Sequence, residues 1–280
     1  MARRKPGWGL AICVVLLRRP LILLTKRDWR GAENLPREGG CVLVANHVSE
    51  FDPIPLAHFV YDNGRLPRFL GKAEVFDVPI IGTILRGAGQ IPVYRKTTDA
   101  TKAFSAAVAA VKRGECVIVY VEGTITRDPD LWPMVGKTGA ARIALSTGCP
   151  LIPCAQWGPN EVLAPYARRP SLFPRKLMRI RAGAPVDLED LQGKKLTPAV
   201  LREATDRIMA DITGLLEDIR GAIAPVKRFD PKAMGVAEIG NPNKTRRGNS
   251  RPVLKDTTPE GRTPRDTLPK EDMTPRDETA

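Results

Sequence analysis

"CVLVANHVSEFDP", residues 41–53, joins an apolar run to a polar turn and then to the start of a helix. The run from Cys41 to Ala45 is short and apolar, which is typical of a buried strand. Asp52 followed by Pro53 is typical of a helix N-cap with proline at the first helical position. This order of strand, turn and helix predicts that the surrounding domain is built from alternating strands and helices.

The alternation continues from about residue 40 to residue 220. The expected strands cover residues 41–45, 69–71, 90–94, 116–121, 151–155 and 177–181, and the expected helices cover residues 101–113, 137–147 and 198–220. Gly114 and Gly148 follow the first two of these helices, where glycine commonly ends a helix. The pattern predicts an α/β fold, a layered domain with a mixed, largely parallel sheet flanked by helices.

The sequence around this domain indicates one further segment on each side. We expect a membrane-associating helical segment over residues 1–30, the α/β domain over 31–225, and a disordered basic tail over 226–280, where apolar periodicity is lost. The 280 residues carry a net charge of +13, which indicates a polyanionic partner. The five cysteines form no C-x-x-C pair, so we expect free thiols and no metal site.

The first thirty residues interleave arginine and lysine with apolar residues, a mixture that favours a membrane interface over DNA. The apolar run over residues 8–17 is shorter than the roughly twenty residues that a membrane-spanning helix needs. The stripe expected to face the membrane consists of Leu10, Cys13, Val14, Leu17 and Leu21. Alternatives are a signal peptide and a buried helix with a basic rim. We expect peripheral or monotopic placement on the cytoplasmic face of the cell membrane, and no nucleic-acid partner.

His47 and Asp52 are the candidate catalytic pair. A neutral imidazole is well matched to removing a proton from a hydroxyl near pH 7, and a carboxylate bonded to its other nitrogen fixes the tautomer. On one helix this spacing would turn the two side chains apart, so the pair requires a turn before the helix. Two simpler interpretations are that Asp52 only caps the helix and that His47 is an ordinary loop residue. Ser49 lies nearby but lacks the elbow motif of a nucleophilic serine.

The stretch "VYVEGTITR", residues 119–127, places an anion-binding candidate after another expected strand. Gly123 allows the backbone to approach a ligand closely, Thr124 supplies a hydroxyl, and Arg127 adds a cation. A polar loop with a routine glycine is the simpler interpretation.

Two other stretches end or interrupt expected strands in a similar way. Arg95 in "GQIPVYRK" follows a strand, which is a suitable place for binding an anion. Pro153 in "GCPLIPCA" indicates an edge strand or a strand start beside a groove. A solvated strand end explains Arg95 equally well.

The order of these pieces is more specific than any one of them. His-x4-Asp, a glycine-strand-arginine segment, Glu-Gly-Thr and Pro-Leu-Ile-Pro, over about residues 40–160, resemble the four-block pattern of the glycerolipid acyltransferases, the bacterial 1-acylglycerol-3-phosphate acyltransferase type above all. The resemblance implies that His47 and Asp52 are catalytic. It implies a set of residues that bind the acceptor's phosphate: Lys72, Arg95, Glu122, Gly123, Thr124 and Arg127. It places Pro153 on the acyl-donor side.

The third block departs from the family pattern Phe-Pro-Glu-Gly-Thr-Arg, because Ile125 stands where the family has arginine. Arg127 is the candidate replacement. The implied function is acyl transfer from acyl-CoA or acyl-carrier protein to the free hydroxyl of lysophosphatidic acid, which makes phosphatidic acid in phospholipid biosynthesis. No cofactor beyond this thioester co-substrate is expected. Alternatives are acylation of another lysophospholipid or a glycolipid, and a non-enzymatic basic protein that binds membrane or nucleic acid.

Overall fold

The structure, a computed structural model, describes residues 7–93, 97–238 and 240–241. Its helices are α1 (Trp8–Leu24), α2 (Pro53–Asp62), α3 (Ala73–Phe76), α4 (Ile81–Gly87), α5 (Thr97–Lys112), α6 (Gly139–Thr147), α7 (Pro159–Val162) and α8 (Pro198–Arg220). Its strands are β1 (Thr25–Arg30), β2 (Cys41–Ala45), β3 (Pro67–Lys72), β4 (Ile91–Val93), β5 (Cys116–Tyr120), β6 (Leu151–Trp157) and β7 (Lys176–Ala182). All of the expected strands and helices are present, and β1, α3, α4 and α7 are additions to them.

The seven strands form one sheet in the order β1-β7-β6-β2-β5-β3-β4. Neighbouring strands run parallel, except for the antiparallel pair of β6 and β7. The predicted fold class, a mixed and largely parallel sheet flanked by helices, is therefore confirmed.

Strand β2 lies inside this sheet and is covered on both faces. Val42 and Val44 pack with residues of α5, α6 and α8, whereas Cys41, Leu43 and Ala45 pack with residues of α2. Successive side chains of a strand point to opposite faces, so a strand that is apolar at every position requires two covered faces. The opening sequence run thus fixes the centre of the fold.

The parallel strands bring several candidate residues to one edge of the sheet. Strands β6, β2, β5, β3 and β4 are neighbours that share one direction, so their carboxyl ends meet at the same edge. His47 follows β2, Gly123 follows β5 and Lys72 ends β3. Arg95 lies outside the described residues.

The N-terminal segment was expected to be helical over residues 1–30, but its last part forms a strand. Helix α1 ends at Leu24, and Thr25–Arg30 forms the edge strand β1, which pairs with β7. Trp29 anchors this strand by packing edge-on against Phe59, with ring centroids 5.6 Å apart. An edge strand needs few apolar residues, and four of the six here are charged, which hid the strand in the sequence.

Helix α1 packs on the domain through part of the stripe that was expected to face the membrane. Leu10 and Leu21 are buried, and a Cβ at Gly9 would lie 2.3 Å from the Ile84 carbonyl oxygen. On the opposite face Ile12, Val15, Leu16 and Leu23 are exposed. Leu17, a member of the stripe, is exposed as well, and the partly exposed Trp8 has its ring beside Gly87 of α4. The stripe prediction was wrong for Leu10 and Leu21, because sequence periodicity cannot tell which of two apolar faces meets the protein. Within the described residues, no helix has the length and apolarity needed to cross a membrane.

Pro153 lies in the interior of the sheet and is the third residue of its strand, so it is neither on an edge strand nor at a strand start, the two positions expected. It belongs to β6, which lies between β2 and β7, and its residue partner in β2 is Val44. Its carbonyl accepts a hydrogen bond from the Gly183 N–H at 2.8 Å. The pairing of β6 with β7 begins one residue later, with Cys154 opposite Ala182. Pro153 therefore lies just outside this ladder, where its missing N–H costs no hydrogen bond to β7.

The folded domain extends past the expected boundary at residue 225. The Val135 N–H donates to the Phe229 carbonyl at 3.0 Å, which fastens the segment after α8 to the domain. Such main-chain bonds leave no apolar periodicity in the sequence, and the loss of periodicity was the signal for a tail. The rest of the expected disordered tail, residue 239 and residues 242–280, lies outside the described residues.

Candidate active site

His47 meets Asp52 across the turn that joins β2 to α2. His47 Nδ1 lies 2.8 Å from Asp52 Oδ2, Asp52 is fully buried, and the His47 side chain is 17% exposed. The contact is made across a turn, as the spacing of the two residues required. With Nδ1 engaged, Nε2 is the nitrogen available to exchange a proton with a substrate.

The Asp52 carboxyl holds the turn as well as the imidazole. Its Oδ2 accepts the Val48 N–H at 2.6 Å and the Ser49 N–H at 2.9 Å. Burial raises the pKa of Asp52, and the hydrogen bond from His47 opposes that rise. Among the described residues Asp52 makes no capping bond, so the expected side-chain N-cap is wrong, although α2 does begin at Pro53. Asp52 is already in a helical conformation, which directs its carboxyl to the preceding amides.

Tyr120 supports the imidazole from one side. The rings of His47 and Tyr120 stack with centroids 4.1 Å apart and an angle of 16° between their planes. Burial raises the pKa of Tyr120 well above its ordinary value, so the phenol is neutral beside the pair. Sequence reasoning missed this contact, which follows from the adjacent, parallel β2 and β5, where Ala45 is opposite Tyr120.

Glu122 ties the loop after β5 to the loop after β2. Its Oε1 accepts the His47 N–H and its Oε2 accepts the Met134 N–H, both at 3.0 Å. The residue is 1% exposed, and burial raises the pKa of its carboxyl to about 8. This geometry gives Glu122 a positioning role. It does not favour the expected direct contact with phosphate, because both oxygens already bond inside the protein.

Gly123 and Thr124 form the outer part of the same loop. Gly123 is exposed and has a φ of 71°, in the left-handed region that favours glycine. The Thr124 hydroxyl bonds the Tyr166 phenol. The Tyr166 N–H donates to both carboxyl oxygens of Glu50 at 3.2 Å, which links this loop to the turn that carries His47. Tyr166 and Glu50 were not singled out in the sequence, because no motif contains them.

The Arg127 guanidinium is directed towards the C-terminal segment. Its Nε donates to the Ala237 carbonyl at 3.2 Å, and its other nitrogens donate to the Tyr166 hydroxyl and the Gly240 carbonyl. The guanidinium carbon also lies 5.1 Å from the centre of the Tyr166 ring. Arg127 therefore fastens Ala237 and Gly240 beside the site.

The remaining predicted site residues lie at different depths. Lys72 is exposed at the end of β3, where its Nζ pairs with Glu74 at 3.4 Å. Pro153 is buried within β6 and so does not reach the surface of the site. The prediction for Arg95 stays a prediction.

A buried amide pair that the sequence analysis missed joins β2 to β6 behind the histidine. The Gln156 N–H donates to Asn46 Oδ1 at 2.8 Å, and Asn46 Nδ2 donates to the Gln156 carbonyl at 3.1 Å. The available signal was a polar residue at the end of each of two apolar strands. The pair fixes the residue before His47, since buried amides are costly to leave unpaired.

Comparison with known proteins finds a matching family and several similar proteins. Residues 26–157, which include His47, Asp52 and Gly123, match the family described as Acyltransferase. The chain is 32% identical over 140 residues to a chloroplastic 1-acyl-sn-glycerol-3-phosphate acyltransferase of Brassica napus, covering 49% of this chain and 39% of that protein. It is 28% identical over 132 residues to a 1-acyl-sn-glycerol-3-phosphate acyltransferase of Borreliella burgdorferi, covering 47% and 51%. Residues 26–157 are therefore an Acyltransferase domain, and the resemblance to the glycerolipid acyltransferases is confirmed over that part of the chain.

The fold of this chain is also found in a solved structure. The 1-acyl-sn-glycerophosphate acyltransferase PlsC from Thermotoga maritima superposes with a TM-score of 0.59 at 24% identity, over 77% of this chain and 81% of that one. At this identity the likeness concerns the fold alone. The chain spans about two fifths of the length of the Brassica relative and about half of the Borreliella one.

Proposed function

We propose that this acyltransferase transfers a fatty acyl group from acyl-CoA or acyl-carrier protein to the free hydroxyl of lysophosphatidic acid, as a step of phospholipid biosynthesis. The observation that carries the proposal is the 2.8 Å contact between His47 Nδ1 and the buried Asp52 at the carboxyl edge of the sheet. Two relatives whose names state this reaction support the choice of acceptor.

His47 acts as the general base. With Nδ1–H donated to Asp52, Nε2 takes the proton of the acceptor hydroxyl while the hydroxyl oxygen attacks the thioester carbonyl carbon. The tetrahedral intermediate then breaks its C–S bond, and His47 returns the proton to the departing thiolate. No acyl-enzyme is required. The Ser49 hydroxyl donates to the Leu163 carbonyl at 2.6 Å, so it is not placed to act as a nucleophile.

The acceptor's phosphate binds at the exposed loop after β5. Gly123 allows the phosphate to approach the backbone closely, and the Thr124 hydroxyl would exchange its bond to Tyr166 for one to a phosphate oxygen. Lys72 lies at the end of the adjacent strand β3. Arg95, which lies outside the described residues, is the second candidate cation in this proposal. The acyl donor approaches from the β6 side of His47. Pro153 is buried in this strand and contributes to the donor side of the site only by helping to position β6.

We place the reaction at the cytoplasmic face of the cell membrane, with the protein bound peripherally or monotopically. A lysophospholipid and its diacyl product reside in a bilayer. The exposed apolar face of α1, together with exposed Ile80 and Ile81 before and within α4, supplies an apolar surface, and the net charge of +13 suits anionic head groups.

A different acceptor head group is the second candidate function. Ile125 replaces the arginine of the family pattern and is buried, so the loop after β5 has lost one phosphate-binding cation. Another lysophospholipid or a glycolipid would need fewer cations at this loop. A non-enzymatic basic protein is a third possibility, which the same assay tests.

The test is a thioester-cleavage assay with the purified full chain. Free thiol and lipid product are measured with acyl-CoA or acyl-carrier protein as donor, and with lysophosphatidic acid, another lysophospholipid, a monoacyl glycolipid or no acceptor. The expected result is thiol release that depends on lysophosphatidic acid and matches the phosphatidic acid formed. Preference for another acceptor would favour the second candidate, and no transfer with any pair would contradict an enzymatic function.

A further inference from the structure

The loop after β5 needs a cation that the obvious residues do not supply. Ile125 occupies the position of the family's arginine, and its side chain is buried. Arg127 already donates to the Ala237 carbonyl at 3.2 Å and contacts Tyr166 and Gly240 as well. Its donors are therefore committed to the C-terminal segment rather than to an anion at Gly123.

Lys137 lies against the exposed part of this loop. A Cβ built on Gly123 would lie 3.5 Å from Lys137 Cγ, so the lysine stem passes directly beside the glycine. The Lys137 N–H donates to the Val121 carbonyl at 2.8 Å, which fixes the lysine backbone to the residue that follows β5. The side chain is 55% exposed. Its ammonium can therefore meet an anion at Gly123 without any movement of the backbone.

The ammonium of Lys137 forms an ion pair with Glu238, in the segment that Arg127 fastens beside the site. Both side chains are exposed, and the Lys137 ammonium holds the pKa of Glu238 below its usual range. Exposed ion pairs are weak because water screens them. A phosphate group, with more charge and more acceptor oxygens than a carboxylate, competes well for the same ammonium.

We propose that Lys137 binds the phosphate of the acyl acceptor beside Gly123, and that Glu238 is the partner it releases when the acceptor arrives. This inference rests on the proposed function and adds a specificity-determining residue to it. Lys137 replaces the missing arginine of the third block. Glu238, in the C-terminal segment, therefore competes with the acceptor's phosphate for the Lys137 ammonium.

The experiment measures KM for lysophosphatidic acid, KM for the thioester and kcat. Lys137→Ala should raise the acceptor KM about tenfold or more, since it removes a charge-assisted bond, with little change in the thioester KM. Lys137→Arg should restore most of the lost affinity. Glu238→Gln should lower the acceptor KM, by up to about fivefold, because the competing ion pair is removed. The matched control is Lys112→Ala, an exposed lysine at the end of α5 and at the opposite edge of the sheet.

A monoacylglycerol acceptor, which has no phosphate, separates a phosphate contact from a structural role. Lys137→Ala should use it as well as the wild type does. An equal rise in both KM values, or an unchanged acceptor KM, would overturn the inference while leaving the proposed function intact. Absence of transfer to lysophosphatidic acid in the wild type would overturn the proposed function itself. If Lys137→Ala does not fold, Lys137→Gln keeps most of the stem and tests the same charge.

Discussion

The carboxyl of Glu122 accepts the main-chain N–H of His47 at 3.0 Å, which joins the loop after β5 to the loop after β2. A second buried carboxyl, that of Asp52, holds the imidazole of the same histidine at 2.8 Å. One acid therefore fixes the backbone of the base and the other fixes its ring. General-base catalysis depends on this geometry, because proton transfer requires the base to be within hydrogen-bond reach of the hydroxyl.

Replacing the base should remove most of the activity. We expect His47→Ala to lower kcat by about 10² to 10⁴-fold, the usual contribution of a general base. The KM for the acceptor should change little, because the phosphate binds elsewhere. Steady-state kinetics with lysophosphatidic acid measure both constants, and circular dichroism checks that the variant is folded.

The matched control for the base is the neighbouring hydroxyl. Ser49→Ala removes the hydrogen bond to the Leu163 carbonyl, so some loss of stability is expected, but acyl transfer should continue. A Ser49 variant that is folded and as inactive as the His47 variant would indicate a serine nucleophile and would contradict direct attack on the thioester.

Asp52→Asn tests the orientation of the imidazole. The amide keeps the size of the carboxyl, and its single oxygen can take the place of Oδ2, which accepts all three bonds from His47, Val48 and Ser49. It carries no charge to stabilise the imidazolium, and its NH2 group would be buried at the position of Oδ1, which has no partner among the described residues. We expect kcat to fall by roughly 10² to 10⁴-fold, with the acceptor KM nearly unchanged. A fall limited to the unfolding temperature, with kcat intact, would show that Asp52 only shapes the turn.

The titration of Glu122 should make stability depend on pH. Burial raises the pKa of Glu122 from 4.5 to about 8, so between these values the folded chain keeps a proton that the unfolded chain releases. The free energy of unfolding contributed by this group therefore falls as pH rises through that window and levels off above it. Thermal unfolding followed by circular dichroism, from about pH 5 to about pH 9, measures the trend.

Glu122→Gln separates this group from the other titrating residues. The variant should be less stable at about pH 5, because one of the two main-chain N–H groups, of His47 or Met134, loses its acceptor at a cost of ~1–3 kcal/mol. Its unfolding temperature should then decline less with rising pH than that of the wild type. Parallel declines in the two proteins would rule out Glu122 as the titrating group.

The sequence predicted those parts of the fold and site that rest on local patterns. Strand β2 and the start of α2 follow from a continuous apolar run and from an aspartate before a proline, and they bring His47 and Asp52 together. The shared edge of His47, Gly123 and Lys72 follows from the parallel order of the strands.

The features that sequence reasoning missed depend on contacts between distant segments. Strand β1 exists because β7 offers it a partner, although its charged residues show no strand pattern. The direction of Arg127 depends on the C-terminal segment, which lies about a hundred residues further along. The choice of which face of α1 is buried depends on α4. Propensity and periodicity describe local preferences and contain no information about such partners.

The exposed face of α1 should mediate binding to membranes. Val15 and Leu16 are exposed apolar residues on that face, and Arg19 follows on the same side of the helix. The double variant Val15→Glu with Leu16→Glu should weaken binding to vesicles that contain an anionic phospholipid on the order of tenfold or more, since burial of each apolar side chain contributes ~1.5–3 kcal/mol. Vesicle co-sedimentation measures the binding. Deletion of residues 1–30 is a poor test, because it also removes strand β1.

The same double variant separates membrane binding from catalysis. Activity on lysophosphatidic acid presented in vesicles should fall with binding, whereas activity on a short-chain, water-soluble acceptor should stay close to that of the wild type. The unfolding temperature should change little, because Val15 and Leu16 point away from the domain. The control is Ile223→Glu, another exposed apolar residue, which follows α8 and should leave vesicle binding intact. If the double variant binds vesicles as well as the wild type does, the membrane contact lies elsewhere on the protein, and the outer face of α1 has a different partner.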